Sequence, residues 1–354
     1  MLSKLIKLIT YIIKNSMKRI FMKISVFGAG SIGRRHLSNL IRYKKKLNID
    51  EIISYDVNED REKLIEEKKG FKFTTNFKEA ALNCDVAFVC TPTHLHINTI
   101  KKIHKFTTCH FYLEKPFSSS IKGCAETLKI IKNKKKKIAV GYMLVNHPLM
   151  KKAQQIIKSK IIGRNIFARV ECGFYLPNWH PWEDYRSFYM SKADQGGGVL
   201  LDTSHEINYL QRLFGNVKET QGIVGKFSDL DITSDDLTLS ILKFKNNLIA
   251  HVHLDLIQFN KERSLKIIGT KGVLKMSLTE NEIQVFTNKD KKWKKIKINY
   301  NFNKIYFEQL DQLWKLIKNK KQNLGTGEEA LHTMQIIEAV RSSSKSGKKI
   351  FIKS

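Results

Sequence analysis

The segment "GGGVLLDTSHEINYL", residues 196–210, sets three glycines ahead of an aspartate and a histidine, Asp202 and His205. On a helix, positions i and i+3 share a face, so the carboxylate and the imidazole would meet the same substrate group. A histidine titrating near neutrality can take a hydroxyl proton and return it, while a carboxylate beside it orients ring or substrate. The glycines would let the chain run close to a ligand before the helix starts. A second group, "GAGSIG", places Gly28, Gly30 and Gly33 between an apolar run and an amphipathic one. Such a turn suits a pyrophosphate. Gly28 turns the chain, Gly30 opens the backbone to the anion, Gly33 lets helix and strand touch, and free N–H groups at Ser31, Ile32 and Gly33 point outward. Asp56, at the end of the next apolar run in "ISYDVN", is placed to accept hydrogen bonds from an adenosine ribose. A carboxylate there repels a ribose phosphate, and neither Val57 nor Asn58 supplies an arginine, so NAD is expected rather than NADP.

These residues need a frame. From Lys23 onward, apolar strand runs alternate with amphipathic helical segments, the pattern of a parallel sheet covered by helices. "KISVFGAG", "EIISYDV", "DVAFVCTP" and "HFYLEKP" read as strands, and "SIGRRHLSNLIRY" reads as a helix. After "KIAVGYMLVNHPLM" the character changes. A helix over 150–160 precedes "NIFARVECGFYL", and a buried helix follows the glycines at 196–198. Residues 218–301 carry "LTLSILKF", "LIAHVHLDL", "SLKIIGT" and "EIQVFTN" between short turns, as in a largely antiparallel sheet. Helices are expected at 306–319 and 328–343. The fold class is α/β, and 354 residues suffice for two cores packed on each other.

The formal charge of +30 invites a nucleic-acid reading, but only 11 of the 63 basic residues are arginine. Arginine is the better fork for phosphates and base edges, so the lysines read as a solvated surface with no specific nucleic-acid partner. The five cysteines, Cys84, Cys90, Cys109, Cys124 and Cys172, show no C-x-x-C and no metal spacing. They point to a reducing compartment, hence the cytoplasm, and no metal is expected. In residues 1–21, Lys4, Lys7 and Lys14 interrupt the apolar run well short of the ~20 residues a bilayer requires. No transmembrane segment is expected. Because "MKISVFGAG" at Met22 looks like a natural start, residues 1–21 are read as an extension dispensable for folding and cofactor affinity.

"TPTHLH" (residues 91–96) and "EKP" (residues 114–116), in order with "GAGSIG" and "GGGVLLDTSHEINYLQRLFG", resemble the glucose–fructose oxidoreductase, inositol 2-dehydrogenase and rhizopine catabolism family, written Gfo/Idh/MocA. The resemblance covers nearly the whole chain from Met22. It implies a Rossmann domain over residues 22–147, crossing near "GYMLVNHP" to an α/β domain over 148–354. The second domain would have an open, predominantly antiparallel sheet that serves as a subunit interface in a dimer or tetramer, with the closing segments packing back on the first. It implies NAD(P)-dependent hydride transfer at a hydroxyl-bearing carbon of a sugar, cyclitol or sugar nucleotide. Thr91, Pro92, His96, Glu114 and Lys115 would surround the nicotinamide, with Lys115 in the catalytic centre beside His205.

In the inositol dehydrogenase pattern three residues separate aspartate from histidine, whereas here only Thr203 and Ser204 intervene. Asp202 is thereby shifted one position, and its role is weaker than that of His205. The aromatic loop "YLPNWHPWEDYRSFYMSKADQ" is similar to a branch associated with cell-surface sugar biosynthesis. Tyr175, Trp179 and Arg186 are its candidate substrate contacts. A second function class, a non-catalytic NAD-binding regulator on the same fold, is opposed by the retained lysine, histidine and glycine turn.

Overall fold

A computed structural model describes residues 22–352 apart from residue 68, so the extension at 1–21 lies outside the described residues. The first part of the chain forms β1 (Lys23–Phe27), β2 (Glu51–Tyr55), β3 (Lys72–Thr74), β4 (Val86–Val89), β5 (His110–Leu113) and β6 (Ile138–Val140). Their order is β6-β5-β4-β1-β2-β3, all parallel. Both faces of such a sheet are covered, which is why "KISVF" and "VAFV" are buried throughout rather than alternating. Strand order reverses at β1, between β2 and β4. In open α/β sheets, ligands bind beyond the carboxyl ends of the strands at that switch. The covering helices are α1 (Ser31–Leu47), α2 (Phe77–Ala81), α3 (His96–His104) and α4 (Cys124–Asn133). Helix α1 ends on Asn48 in the left-handed region, with Lys44, Lys45 and Lys46 in its last turn, where cations favour the helix dipole.

Helix α5 (Pro148–Lys158) leads into a second sheet built from β7 (Asn165–Tyr175), β8 (Val217–Gly225), β9 (Leu237–Phe244), β10 (Ile249–Asp255), β11 (Ile257–Gly269), β12 (Gly272–Ser277), β13 (Glu282–Thr287) and β14 (Trp293–Lys297). Every neighbouring pair in it is antiparallel except β7 with β10. Burial alternates along β9: Thr238, Ser240, Leu242 and Phe244 face inward, while Ile241 on the other face is exposed. Ile223 and Ile249 on the flanking strands are exposed with it.

The glycine-led segment does not make the single buried helix expected after Gly198. It makes α6 (Val199–Asp202) and α7 (His205–Phe214). Thr203 lies between them, its hydroxyl and its N–H both donating to Val199 O at 2.5 and 2.9 Å. Such back-bonding by a threonine side chain competes with the regular ladder and bends it. Asp202 and His205 therefore close one helix and open the next.

The closing helices are α8 (Phe302–Ile317) and, after β15 (Gly325–Thr326), α9 (Gly327–Ser346). β15 joins the first sheet antiparallel to β6, and α8 lies on α1, where Trp314 Nε1 donates to Leu47 O and the Tyr43 and Phe307 rings stack. Helix α9 packs on β8, which also pairs with β16 (Ile350–Phe351). The closing segments thus tie both sheets together.

Several histidines are built into these cores as neutral groups. Burial, with Lys136 and Lys137 nearby, lowers His110 to about 4, and burial with Arg263 lowers His147 to about 4. The unfolded chain would bind protons near 6.5, so their contribution to stability is complete above that pH and is lost as pH falls through about 4. His253, raised by its hydrogen bond to Asp255, works in the opposite sense. Because the lowered groups outnumber it, the thermal midpoint should drop steadily between pH 6.5 and 4. A scanning-fluorimetry series showing a flat or rising midpoint over that window would contradict this balance.

Candidate active site

The glycine turn after β1 has the geometry a phosphate requires. Gly28 sits at φ +101°, and a Cβ there would fall 2.6 Å from Cys90 O; a Cβ on Gly33 would fall 1.8 Å from Gly28 O. Open space surrounds the same position on Gly30. Helix α1 starts at Ser31 and Ile32 with no side-chain cap and no acid in its first turn, so its N–H groups remain available to an anion. Asp56, just past β2, is held by two backbone donors, Ala29 N–H at 2.7 Å and Asn58 N–H at 3.0 Å, one on each oxygen. Each oxygen keeps a lone pair for a ribose hydroxyl. These residues fit a dinucleotide.

Thr91 and Pro92 follow β4, and Glu114 and Lys115 follow β5, on the same edge of the sheet. His96 is buried with both ring nitrogens against backbone carbonyls, Nε2 at 2.9 Å from Thr91 O and Nδ1 at 3.0 Å from Pro116 O. The expectation that His96 faces the cofactor is corrected accordingly: it is a strut between the two loops. Glu114 Oε2 accepts the Lys115 N–H at 3.2 Å, and Oε1 lies 2.7 Å from His36 Nε2. Sequence reasoning missed His36, although its spacing from Gly33, Leu37 and Leu40 puts it on the buried face of α1.

Lys115 Nζ donates to Asp202 twice, to the carbonyl at 2.6 Å and to Oδ1 at 3.0 Å. An ammonium has three donors, so one remains. Asp202 Oδ1 also accepts the hydroxyl of Tyr189. Burial pushes the Asp202 carboxyl up, but Lys115, Tyr189 and Arg263 outweigh it and hold it below the usual carboxylate range. The one-position shift has therefore not detached Asp202 from the centre. His205 is buried against the edge of Tyr142, its Nδ1 unpartnered among the described residues. The expected pKa near neutrality is corrected: burial, then the charges of Lys115 and Arg263, push it well below 6.5. It is a neutral imidazole at physiological pH.

Beneath the pair lies a second charge pair that sequence reasoning also missed. Arg263 on β11 forks onto Glu206, Nε to Oε1 at 2.7 Å and the terminal nitrogen to Oε2 at 3.0 Å, with Glu206 0% exposed. The signal for Glu206 was its position beside His205 on a helix expected to be buried.

The glycines at 196–198 admit the protein itself. A Cβ on Gly197 would lie 2.2 Å from Tyr189 O and 2.5 Å from Met190 O, so this glycine lets the aromatic loop lie against the segment bearing Asp202. Within that loop, Tyr175 packs on Phe259, and Trp179 lies between Phe174 and His180 with Lys261 over its ring. Arg186 is committed to Asp184 through both carboxylate oxygens on the surface, and no contact among the described residues links it to Lys115, Asp202 or His205. The loop residue that reaches the centre is Tyr189. No cluster of three or more histidine, cysteine or acidic side chains among the described residues forms a metal site, and no helix among them is long and apolar enough to cross a membrane.

Comparison with known proteins agrees with the Rossmann arrangement of the first sheet. The family model for the oxidoreductase family with an NAD-binding Rossmann fold matches residues 22–142, and that for the GFO/IDH/MocA C-terminal domain matches residues 150–275. Among curated proteins, 2,7-anhydro-N-acetylneuraminate hydratase of Escherichia coli K12 is 26% identical over 202 residues. That match takes in 55% of this chain and 52% of the relative, so the aligned part spans about half the relative's length. Among solved structures, levoglucosan dehydrogenase with NADH superposes at a TM-score of 0.82, with 16% identity, covering 94% of this chain and 99% of that one. The WlbA dehydrogenase of Bordetella pertussis with NADH and UDP-GlcNAcA superposes at 0.79, with 16% identity and 94% and 99% coverage.

Proposed function

Because the chain belongs to the Gfo/Idh/MocA family of NAD-binding oxidoreductases, we propose that it moves a hydride to or from a hydroxyl-bearing carbon of a sugar, cyclitol or sugar nucleotide. The observation that carries this reading is Lys115, set at the carboxyl end of β5 beside the glycine turn, held by Asp202 and left with one free donor. The bound dinucleotide supplies the hydride acceptor or donor. Lys115 points its remaining N–H at the substrate oxygen and stabilises the negative charge that develops there. His205, neutral and of low basicity, takes the hydroxyl proton as that charge builds and returns it readily in reduction. Asp202 fixes Lys115, and its second oxygen is free to accept from a neighbouring substrate hydroxyl. Tyr175 and Trp179, the latter 40% exposed, are the aromatic side chains that would border a sugar ring.

The exposed isoleucines on the outer face of the second sheet, Ile223, Ile241 and Ile249, support a homo-oligomer assembled through that face. The five cysteines are free and buried, which supports action in the reducing cytoplasm. The chemistry of the relatives, a levoglucosan dehydrogenase and a dehydrogenase bound to UDP-GlcNAcA, supports the substrate class.

The test is turnover by the purified protein with NAD, followed at the nicotinamide absorbance band and by product mass, across inositols, hexoses, uronates and sugar nucleotides. Reduction of NAD with one class is the expected result. Product mass separates net oxidation from addition or loss of water, the reaction named for the Escherichia coli relative. Intact NAD binding with no chemistry on any class would favour the non-catalytic regulator.

Asp56 gives this reading a separate handle. Its carboxylate, fixed by Ala29 and Asn58, meets a ribose hydroxyl as an acceptor and a ribose phosphate as a like charge. NADH should bind more tightly than NADPH in fluorescence titrations, and Asp56→Ala should narrow the gap by roughly tenfold, about 1.4 kcal/mol. Equal affinity of the unaltered protein for both cofactors would overturn the NAD assignment.

A further inference from the structure

We propose that Tyr189 is a positioning residue for the Lys115–Asp202 pair, delivered into the site from the aromatic loop to hold one carboxylate oxygen. The inference rests on the hydride-transfer reading for its kinetic consequence but not for its geometry. Three observations carry it.

The first is placement. Tyr189 opens a short 3-10 turn, Tyr189–Ser191, that is pinned to the body on its far side. Met190 O accepts Gly198 N–H at 2.9 Å and the Ser234 hydroxyl at 2.6 Å, and Ser191 O accepts Thr233 N–H at 2.9 Å. Met190 and Ser191 are buried, and Gly197 has no side chain to push the turn away. The backbone that carries the phenol is therefore fixed against the segment bearing Asp202.

The second is the division of hydrogen bonds on Asp202. Oδ1 accepts both the Tyr189 hydroxyl and Lys115 Nζ, the Asp202 carbonyl takes a second Lys115 N–H, and no described group donates to Oδ2. Two donors on one oxygen stop the carboxylate from rotating and prevent Lys115 from closing over both oxygens. The third ammonium N–H and Oδ2 thus keep no partner among the described residues. Removing the phenol hydroxyl leaves Lys115 as the sole direct donor to that carboxylate.

The third is that Tyr189 stays a donor. The residue is 37% exposed, but its hydroxyl is engaged by Asp202, and burial, the Asp202 charge and the Glu114 charge push its pKa well above the usual phenol value. The groups bearing on Asp202 are Lys115 after β5, Tyr189 from the loop and Arg263 from β11, with neutral His205 next along the chain and Glu114 and Glu206 behind their partners. Lys115, Tyr189 and Arg263 all hold the carboxyl down, so deletion of the Tyr189 donor must let it rise.

The test uses Tyr189→Phe, which removes one oxygen and keeps the packed ring, in the full-length chain with NADH bound. The Asp202 carboxyl is titrated by carbon-13 NMR, its signal assigned by its loss in Asp202→Asn. The pKa should rise toward the ordinary aspartate value. On whichever substrate the screen yields, kcat should fall about 10- to 100-fold, the change expected for one lost hydrogen bond to a charged group. NADH affinity should be unchanged, and the acid limb of the kcat profile should move upward with the carboxyl. An Asp202 titration identical in the two proteins overturns the inference whatever the turnover. Absence of turnover by the unaltered protein on every sugar overturns the hydride-transfer reading instead, and the NMR titration still decides the role of Tyr189.

Discussion

Lys115→Ala should lose at least about 100-fold in turnover while binding NADH as the unaltered protein does. The ammonium is the positive group placed to meet charge on a substrate oxygen, and preorganised electrostatic stabilisation of this kind accounts for roughly 100- to 1,000-fold when a single donor is removed. The cofactor's phosphates and ribose are met by other residues, the turn at Gly28, Gly30 and Gly33 and the carboxylate of Asp56. Lys115 also holds Asp202 in place, so its loss leaves that carboxylate to the Tyr189 hydroxyl alone and removes a cation that keeps His205 neutral. Lys115→Arg should not rescue the activity, because a planar fork cannot reproduce two bonds to Asp202 and a third to substrate from one nitrogen. His205→Ala should fall in the same range, about 100-fold or more, if it carries the proton. Near-normal kcat in both alanine variants would sink the mechanism and leave the fold untouched.

The parts of this site visible in sequence were those with a local cause. Gly28 and Gly33 are readable because a tight turn between strand and helix excludes a Cβ within six residues of chain, and Asp56 because it ends the next strand. Lys115 was readable only through the "EKP" resemblance, since nothing local separates it from other lysines. What stayed hidden depends on contacts between distant segments. Tyr189 sits 13 residues from Asp202 in a loop with five other aromatic residues, and only the packing of Gly197 against its carbonyl selects it over Arg186. His205 looked like a base near neutrality because its type suggests one. Its true character comes from burial and from Arg263, which lies 58 positions away on a strand. The fold was more legible for the same reason. Strand periodicity is local, whereas the pairing of β15 with β6 and the break at Thr203 are set by tertiary contacts.

That distant arginine leads to the largest stability effect expected in this chain. Glu206 is fully buried and both its oxygens are bonded to Arg263, so the pair has exchanged hydration for a bidentate contact. Burial works against the charge on Arg263, but Glu206 outweighs it and keeps the guanidinium protonated. Removing one member leaves an uncompensated buried charge, a loss of about 3–5 kcal/mol, whereas replacing both by apolar groups of similar volume is often neutral. Arg263→Met should therefore lower the thermal midpoint by roughly 6–20 °C, taking about 2–4 °C per kcal/mol, the scale of a domain of about 150–250 residues. The double variant Arg263→Met with Glu206→Leu should recover most of that loss. It should not recover activity, because Arg263 also contributes to holding Asp202 ionised and His205 neutral. Stability and chemistry thus separate in one double-mutant cycle. A single Arg263→Met variant with an unchanged midpoint would overturn the reading of this pair as a buried contact on which stability depends.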